Sequence, residues 1–119
     1  MYKIKVISDF SAAHMLRNYK GKCENMHGHN WKVEVSISSE ELDKSGMVVD
    51  FKELKKNVNA VLDELDHSNL NDVPYFKKAN PTSENIAKYI YDRLKTQNSN
   101  LKTIKVWESD TACATYKET

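Results

Sequence analysis

The chain has 119 residues, enough for one folded domain with a hydrophobic core. Its 18 lysines and arginines nearly balance its 17 aspartates and glutamates, so its net charge gives no support for binding nucleic acid or an anionic membrane. No apolar run approaches the roughly 18 residues of a membrane span, and the first residues lack the apolar segment of a signal peptide.

The small size and the two cysteines favour a particular assembly and a particular cellular compartment. A domain of this length rarely holds both a core and a deep cleft, which favours a homo-oligomer with sites between subunits. Cys23 and Cys113 lie far apart in the sequence. This spacing is typical of free thiols in a reducing compartment, so we expect a cytoplasmic protein without a disulfide framework.

Two strands are predicted in the first third of the chain. Residues 3–10 alternate apolar and polar side chains, which is a strand signal. Residues 31–39 alternate more regularly, as in a half-buried antiparallel strand with one polar face. If this second strand begins earlier, His27 and His29 point to the same face as Trp31, because side chains alternate across the pleat.

Two helices are predicted in the middle of the chain, separated by a loop at residues 68–72. Asp50 can cap the first helix with its carboxylate, and Glu53 follows three residues later, as in a capping box. The second helix is predicted to start at Asn80 and Pro81, because proline suits the first helical position. The apolar stripe predicted for the first helix consists of Phe51, Leu54, Val58, Val61, Leu62 and Leu65.

Two more strands are predicted after the second helix, at residues 103–108 and 112–117, joined by a hairpin turn. Four strands arranged around a pair of helices predict an α+β fold. We therefore expect a single domain over residues 1–119, with a four-stranded antiparallel sheet and both helices packed on one face.

The histidines suggest a metal site. His27 and His29 on one strand face supply half or more of a zinc site. If His14 joins them, three imidazoles leave a fourth position open, as in a catalytic zinc site. A surface or capped histidine is the simpler interpretation of His14 or His67 taken alone.

Two cysteines lie in different contexts. Cys23 could be a fourth zinc ligand, which would close a structural site, or a thiolate base or nucleophile beside the metal. The spacing leaves both interpretations open. Cys113 lies between alanines in a predicted strand, which indicates a small buried side chain.

Three further side chains could carry chemistry. Asp66 can orient the next residue, His67, as in an acid–base relay, although a helix end with a histidine near its negative dipole explains the pair equally well. Glu108 follows Trp107 at the end of a strand. Its two oxygens suit the paired N–H and amino donors of a guanidine-like ring edge, or the carboxylate is merely solvated.

Six segments, spread over nearly the whole chain, form one recognisable set. They are Phe10-Ser-Ala-Ala-His14, Cys23-x-x-x-His27-Gly-His29-Asn30, Val49-Asp50-Phe51, Leu65-Asp66-His67-x-x-Leu70-Asn71, Asn80-Pro81-Thr82-Ser83-Glu84-Asn85 and Val106-Trp107-Glu108. In this order they resemble the 6-pyruvoyl-tetrahydropterin synthase superfamily, in particular its bacterial 6-carboxy-5,6,7,8-tetrahydropterin synthase branch. The combination is highly specific, although no single segment is.

The resemblance implies a fold, an assembly and a reaction. The fold is the tunnelling fold, whose subunits join their sheets into barrels, commonly as a hexamer built from two trimers with sites at subunit interfaces. The reaction is a zinc-dependent lyase reaction. It converts 7,8-dihydroneopterin triphosphate to 6-carboxytetrahydropterin, acetaldehyde and triphosphate, on the way to queuosine and other 7-deazapurines.

The resemblance also assigns roles to residues. It implies that Cys23 is the general base and that Asp66 and His67 form a proton relay. It implies that Glu108 anchors the pterin ring and is linked to that relay. The zinc ligands that it implies are His14, His27 and His29.

Cys23 and Glu24 leave the product open. Cys23 lies four positions before His27, as in the carboxy branch, whereas the pyruvoyl branch usually has a longer interval. Glu24 lies three positions before His27, where a related branch uses a glutamate to make 6-hydroxymethyl-dihydropterin for folate. Three alternatives to the carboxy branch therefore remain: a pyruvoyl-forming activity, a folate-directed activity in which Glu24 contacts substrate, and a non-catalytic zinc-stabilised binding module. A solvated loop residue is the other interpretation of Glu24.

Overall fold

In the computed structural model, which describes residues 1–21 and 25–119, a five-stranded sheet carries helices on one face. The sheet order is β3-β1-β2-β4-β5, and only the pairing of β3 with β1 is parallel. The strands are β1 (Tyr2–His14), β2 (His27–Ser39), β3 (Ser68–Asn69), β4 (Leu101–Ser109) and β5 (Ala112–Lys117). The helices are α1 (Phe51–Asp63), α2 (Pro74–Lys78) and α3 (Ser83–Lys95), with a 3₁₀ turn at Leu70–Asp72.

The α+β class is confirmed, but the predicted counts of four strands and two helices are too low. The fifth strand, β3, has two residues and pairs with Ala12 and Ala13 of β1. The predicted loop at residues 68–72 contains this strand and the 3₁₀ turn. Alternation cannot reveal a strand of two residues, and α2, with five residues, is too short to show helical periodicity.

The first helix begins as predicted, with one error in its buried stripe. The Asp50 carboxylate caps α1 by accepting a hydrogen bond from the Lys52 N–H at 2.8 Å. Phe51, predicted to be buried, is 53% exposed, whereas the other five residues of the predicted stripe are buried. Phe51 occupies the first turn, where it lines an open apolar groove with Tyr2 and Met47.

The start of the second long helix was predicted two residues too early. The cap of α3 is Thr82, whose hydroxyl accepts a hydrogen bond from the Asn85 N–H at 3.1 Å, and the helix begins at Ser83. The assignment of Pro81 to the first helical position is therefore wrong. Because Pro81 precedes the cap, its carbonyl lies outside the helix and can accept a hydrogen bond from elsewhere.

The ladder between β1 and β2 extends beyond both predicted strands. It pairs Phe10 with Trp31 in the core and continues until His14 pairs with His27 at its end. The buried face of the sheet therefore runs without a break from the hydrophobic core into a group of imidazoles. In the described part of the chain, no helix is both long and apolar enough to cross a membrane.

Candidate functional site

The strand register brings three imidazoles together. His14 lies opposite His27, and Ala12 lies opposite His29. Residues that face each other on antiparallel strands project to the same side of the sheet. The three ring centroids consequently lie 4.6, 4.8 and 5.2 Å apart. The site thus depends on backbone pairing between two strands and not on a flexible loop.

Trp31 forms the floor of the imidazole cluster. Its side chain is fully buried and contacts the rings of His14 and His29 edge-on, with centroid distances of 4.9 and 5.2 Å. Its indole N–H donates to the carbonyl of Ala12 at 3.2 Å, and its ring stacks on Phe10. These contacts fix the indole, and they close the core side of the cluster to water.

Backbone carbonyls fix the tautomer of two neutral imidazole rings. His14 Nδ1 lies 2.7 Å from the carbonyl oxygen of Pro81, and His27 Nδ1 lies 2.9 Å from that of Asn25. A carbonyl only accepts, so each Nδ1 carries the proton and each Nε2 has a free lone pair. The two Nε2 atoms lie 3.1 Å apart. Two lone pairs at this distance repel each other unless a proton or a cation lies between them.

Two asparagines hold the chain that follows His14. The side chain of Asn71 accepts from the Met15 N–H at 2.9 Å and donates to the Met15 carbonyl at 3.0 Å. Asn80 makes the same pair of bonds with the backbone of Arg17, at 2.9 and 2.8 Å. Each side-chain amide therefore pairs with one backbone N–H and one backbone carbonyl, as a neighbouring strand would. Sequence reasoning missed this role, although both residues belong to the segments on which the resemblance rests.

Glu108 lies against the same imidazoles. Its Oε1 atom is 3.1 Å from His29 Nε2 and 3.5 Å from His14 Nε2. Together with His27, these residues offer four ligand atoms within 4.8 Å of one another. The sequence predicted Glu108 as a ring anchor but gave no sign that it lies beside the histidines.

The donor set suits a zinc ion. Zinc in proteins is bound by imidazole nitrogens and carboxylate oxygens, and a histidine ligand usually donates its other ring N–H to a carbonyl or carboxylate. His14 and His27 both show that outer bond, and their lone pairs already converge. The residues present therefore fit a metal ion bound by His14, His27 and His29, with Glu108 next to it.

Asp66 and His67 are fixed to the edge of β1. The Asp66 carboxylate accepts from the Ser11 N–H at 2.8 Å, and its other oxygen lies 2.9 Å from His67 Nδ1. The His67 N–H donates to the Ser11 carbonyl at 2.6 Å, and its φ of 55° is unusual for a residue other than glycine. The Ser11 N–H, aided by His67, holds the pKa of Asp66 below its usual range.

A shallow cavity of about 370 Å³ has lining residues from both groups. His29 from the imidazole cluster and His67 from the Asp66 pair both line it, with Gly28 and Ser11 between them. The side chain of His67 is 83% exposed, so its ring is accessible to a ligand in the cavity. A small molecule bound there would lie beside His67 and against the β1 and β2 segments that carry the imidazoles.

The predictions made for the two cysteines and for Glu24 have different outcomes. Cys23 and Glu24 lie outside the described residues, so their predicted roles stay predictions. Cys113 was predicted to be buried, and this is wrong, because its side chain is exposed on β5. It lies on the face of the sheet opposite the helices, since it pairs with Trp107 of β4.

Known proteins resemble this chain over nearly its whole length. The sequence model of the 6-pyruvoyl tetrahydropterin synthase family matches residues 3–119. The 6-carboxy-5,6,7,8-tetrahydropterin synthase of Haemophilus influenzae is 35% identical over 142 aligned residues, covering 99% of this chain and 100% of that protein. The human 6-pyruvoyl tetrahydrobiopterin synthase is 41% identical, covering 91% of this chain and 86% of that protein.

A solved structure agrees with this relationship. The structure of Caenorhabditis elegans 6-pyruvoyl tetrahydropterin synthase superposes with a TM-score of 0.89 at 37% identity, covering 99% of this chain and 96% of that one. The match confirms the tunnelling fold that the six sequence segments predicted.

Proposed function

Because the chain belongs to the 6-pyruvoyl tetrahydropterin synthase family, we propose that it is a zinc-dependent 6-carboxy-5,6,7,8-tetrahydropterin synthase. It converts 7,8-dihydroneopterin triphosphate and one water molecule to 6-carboxytetrahydropterin, acetaldehyde and triphosphate. The reaction is a carbon–carbon and carbon–oxygen lyase reaction, and it takes place in the cytoplasm on the route to queuosine. The observation that carries the proposal is the convergence of His14, His27 and His29 at the end of the β1–β2 ladder.

The three imidazoles hold the zinc ion in this proposal. A bound zinc supplies Lewis acidity towards the hydroxyl groups on the side chain of the substrate. The carbonyls of Pro81 and Asn25 keep His14 and His27 in the tautomer that ligation requires. Trp31 excludes water from the core side of the site.

Proton transfer falls to two further groups in this proposal. Cys23 serves as the general base that removes a proton next to the pterin ring, as the resemblance implies. Asp66 orients His67 through the 2.9 Å contact, and the exposed ring of His67 exchanges a proton with the substrate. The cavity lined by both His29 and His67 supports a relay that acts close to the zinc ligands.

Glu108 binds the ring of the substrate in this proposal. The ring edge of a pterin presents an N–H and an amino group side by side, and a carboxylate can accept from both. The contacts of Glu108 with His29 and His14 put this ring edge close to the metal ligands. The side chain of the substrate then needs to reach only a short distance from the ring to the zinc.

The four-residue interval between Cys23 and His27 favours the carboxy product. The full-length match to the Haemophilus influenzae protein supports the same choice. The 41% identity to the human 6-pyruvoyl tetrahydrobiopterin synthase supports a pyruvoyl product instead. Glu24 supports a third possibility, the 6-hydroxymethyl-dihydropterin of the folate route.

Product analysis tests the proposal. The zinc-loaded protein is incubated with 7,8-dihydroneopterin triphosphate, and the pterins and acetaldehyde are identified by liquid chromatography and mass spectrometry. We expect 6-carboxytetrahydropterin and acetaldehyde in equal amounts. A pyruvoyl or hydroxymethyl product would replace the proposal by one of its alternatives. A Glu24→Ala variant then shows whether this glutamate contributes to a second product.

A Cys23→Ala variant separates the enzyme from a zinc-stabilised binding module. In the enzyme, this variant keeps its zinc and its fold but loses turnover, because the thiolate acts on substrate. If Cys23 instead closes the metal coordination, the variant releases zinc and unfolds. Metal content and the melting temperature, measured on the same sample, distinguish the two outcomes.

We also propose that the protein is a hexamer of two trimers with sites between subunits. Within the described part of the chain, β3 covers only Ala12 and Ala13 along one edge of β1, and β5 forms the other edge of the sheet. Two open edges can pair with those of neighbouring copies and close a barrel. Light scattering coupled to size-exclusion chromatography would show six copies if this is right.

A further inference from the structure

A row of three side chains crosses the face of the sheet opposite the helices, called here the open face. Lys5 of β1 forms an ion pair with Glu34 of β2, with 2.9 Å between Nζ and Oε1. The other oxygen of Glu34 accepts a hydrogen bond from the indole N–H of Trp107 on β4. The row therefore links the three central strands of the sheet through side chains as well as through the backbone.

Glu34 is buried, although it lies on the open face. It is only 8% exposed, and both its oxygens have partners. The hydrogen bond from Lys5, aided by that from Trp107 and opposed by desolvation, holds the pKa of Glu34 below its usual range. A buried, ionised carboxylate makes a strong, directional acceptor, so the Trp107 N–H bond fixes the orientation of the indole.

Two lysines further restrict the indole. Lys32 Nζ lies 4.6 Å from the centroid of the Trp107 ring, and Lys105 Nζ lies 5.9 Å from it. Cation–π contacts of this kind hold the plane of a ring, but they do not fix its rotation within that plane. The hydrogen bond to Glu34 supplies this missing constraint.

The residue after Trp107 is Glu108, and it lies where β4 loses its regular pairing. The pairing of β2 with β4 ends at Lys32 and Trp107. On the other side, Trp107 pairs with Cys113 and Ser109 pairs with Ala112, so Glu108 falls in an irregularity of the β4–β5 ladder. Such bulges redirect a side chain, and they are frequent beside active sites. Regular ladder bonds do not determine where the Glu108 carboxylate points.

We propose that Trp107 and Glu34 are positioning residues that set the direction of the Glu108 carboxylate. Their hydrogen bond fixes the last regularly paired residue of β4 on the open face, and the next residue then projects towards His29 and His14 on the opposite face. The proposal rests on the proposed function, in which Glu108 binds the pterin ring. Neither positioning residue touches the substrate.

Binding of bare pterin tests the proposal without any turnover. Pterin has the ring edge that Glu108 recognises, but it lacks the side chain that would reach the metal. Its dissociation constant is measured by fluorescence on the zinc-loaded wild type and on Trp107→Phe, which keeps the ring but lacks the N–H. We expect the affinity for pterin to fall by roughly 10-fold to 100-fold, as for other residues that orient a ligand-binding group. The zinc content should stay at the wild-type value.

Four further variants distinguish positioning from general stability. Glu34→Ala should weaken pterin binding as Trp107→Phe does, and the double variant should bind no more weakly than either, because both act through one bond. Glu34→Gln should keep most of the affinity, since its amide oxygen can still accept from the indole. Lys32→Met removes a ring contact but not the N–H bond, so it should lower the melting temperature without weakening pterin binding.

The outcomes separate the two proposals. If the wild type binds pterin and Trp107→Phe binds it equally well, the positioning role is wrong and the proposed function is unaffected. If the wild type does not bind pterin, the ring-anchoring role of Glu108 is wrong, and the positioning role falls with it. Should Trp107→Phe fail to fold, Glu34→Ala carries the same test with the same two outcomes.

Discussion

The Nε2 atoms of His14 and His27 lie 3.1 Å apart, and the Nδ1–H group of each ring donates a hydrogen bond to a backbone carbonyl. Two lone pairs therefore face each other in a cluster that contains a third imidazole, His29, and the carboxylate of Glu108. The arrangement is unfavourable for an empty protein and favourable around a cation. It is the structural basis for the first prediction.

Replacing one of the clustered histidines should remove the metal. We expect His27→Ala to lose its zinc and its activity together, because two imidazoles bind zinc far more weakly than three. Zinc per chain is measured by mass spectrometry with inductively coupled plasma after dialysis. A His27→Ala protein that keeps one zinc per chain would show that the metal lies elsewhere.

Replacing His67 should slow turnover strongly and leave the metal in place. The best variant is His67→Asn, because asparagine tolerates the positive φ of 55° at this position but cannot transfer protons near neutral pH. We expect kcat to fall by about 10²-fold to 10⁴-fold, the usual contribution of a general acid or base. Zinc content and the melting temperature should match those of the wild type, and nearly normal turnover would rule out the relay.

Replacing Asn71 should destabilise the protein and weaken zinc binding. The side chain is buried and bonds to both backbone groups of Met15, which follows His14. Asn71→Ala leaves both groups without these partners, at a cost of about 2–4 kcal/mol in the free energy of unfolding. Urea denaturation measures this cost.

A matched control for Asn71 is Asn59→Ala. Asn59 is exposed and accepts a single hydrogen bond from the Ser8 hydroxyl. Its loss should change the free energy of unfolding by less than about 0.5 kcal/mol. Equal losses in the two variants would contradict the role assigned to Asn71.

The stabilisation supplied by Glu34 should depend on pH. Lys5 and Trp107 lower its pKa below the ordinary value of 4.5, so folding favours the ionised form. Its contribution is complete above pH 4.5 and is lost as the pH falls through the lower pKa of the folded state. The difference in unfolding free energy between wild type and Glu34→Gln, measured on metal-free protein, should therefore shrink below pH 4.5. A difference that grows in acid would contradict the lowered pKa.

Local sequence patterns predicted the parts of the fold that depend on local interactions. The alternation after Trp31 identified β2, and the carboxylate of Asp50 identified the start of α1. The final hairpin of β4 and β5 was predicted from alternation on both sides of a turn. In each case, the side chains that form the sequence pattern also make the contacts that stabilise the element.

The parts that were missed depend on residues distant in sequence. The alternation of β1 was taken to end at Phe10, yet the ladder with β2 carries the strand on to His14. Pro81 was assigned to a helix, but its carbonyl orients His14. The approach of Glu108 to the imidazoles follows an irregularity between β4 and β5, which one strand's sequence does not encode.

X-ray absorption at the zinc edge tests the central claim most directly, because it counts the ligands of the metal in the purified protein. We predict one zinc per chain with nitrogen and oxygen ligands at about 2.0–2.1 Å and no sulfur, so that Cys23 remains available as a base. A sulfur ligand at about 2.3 Å would make the site a closed structural one. Either that result or a protein without zinc would contradict the proposed enzyme.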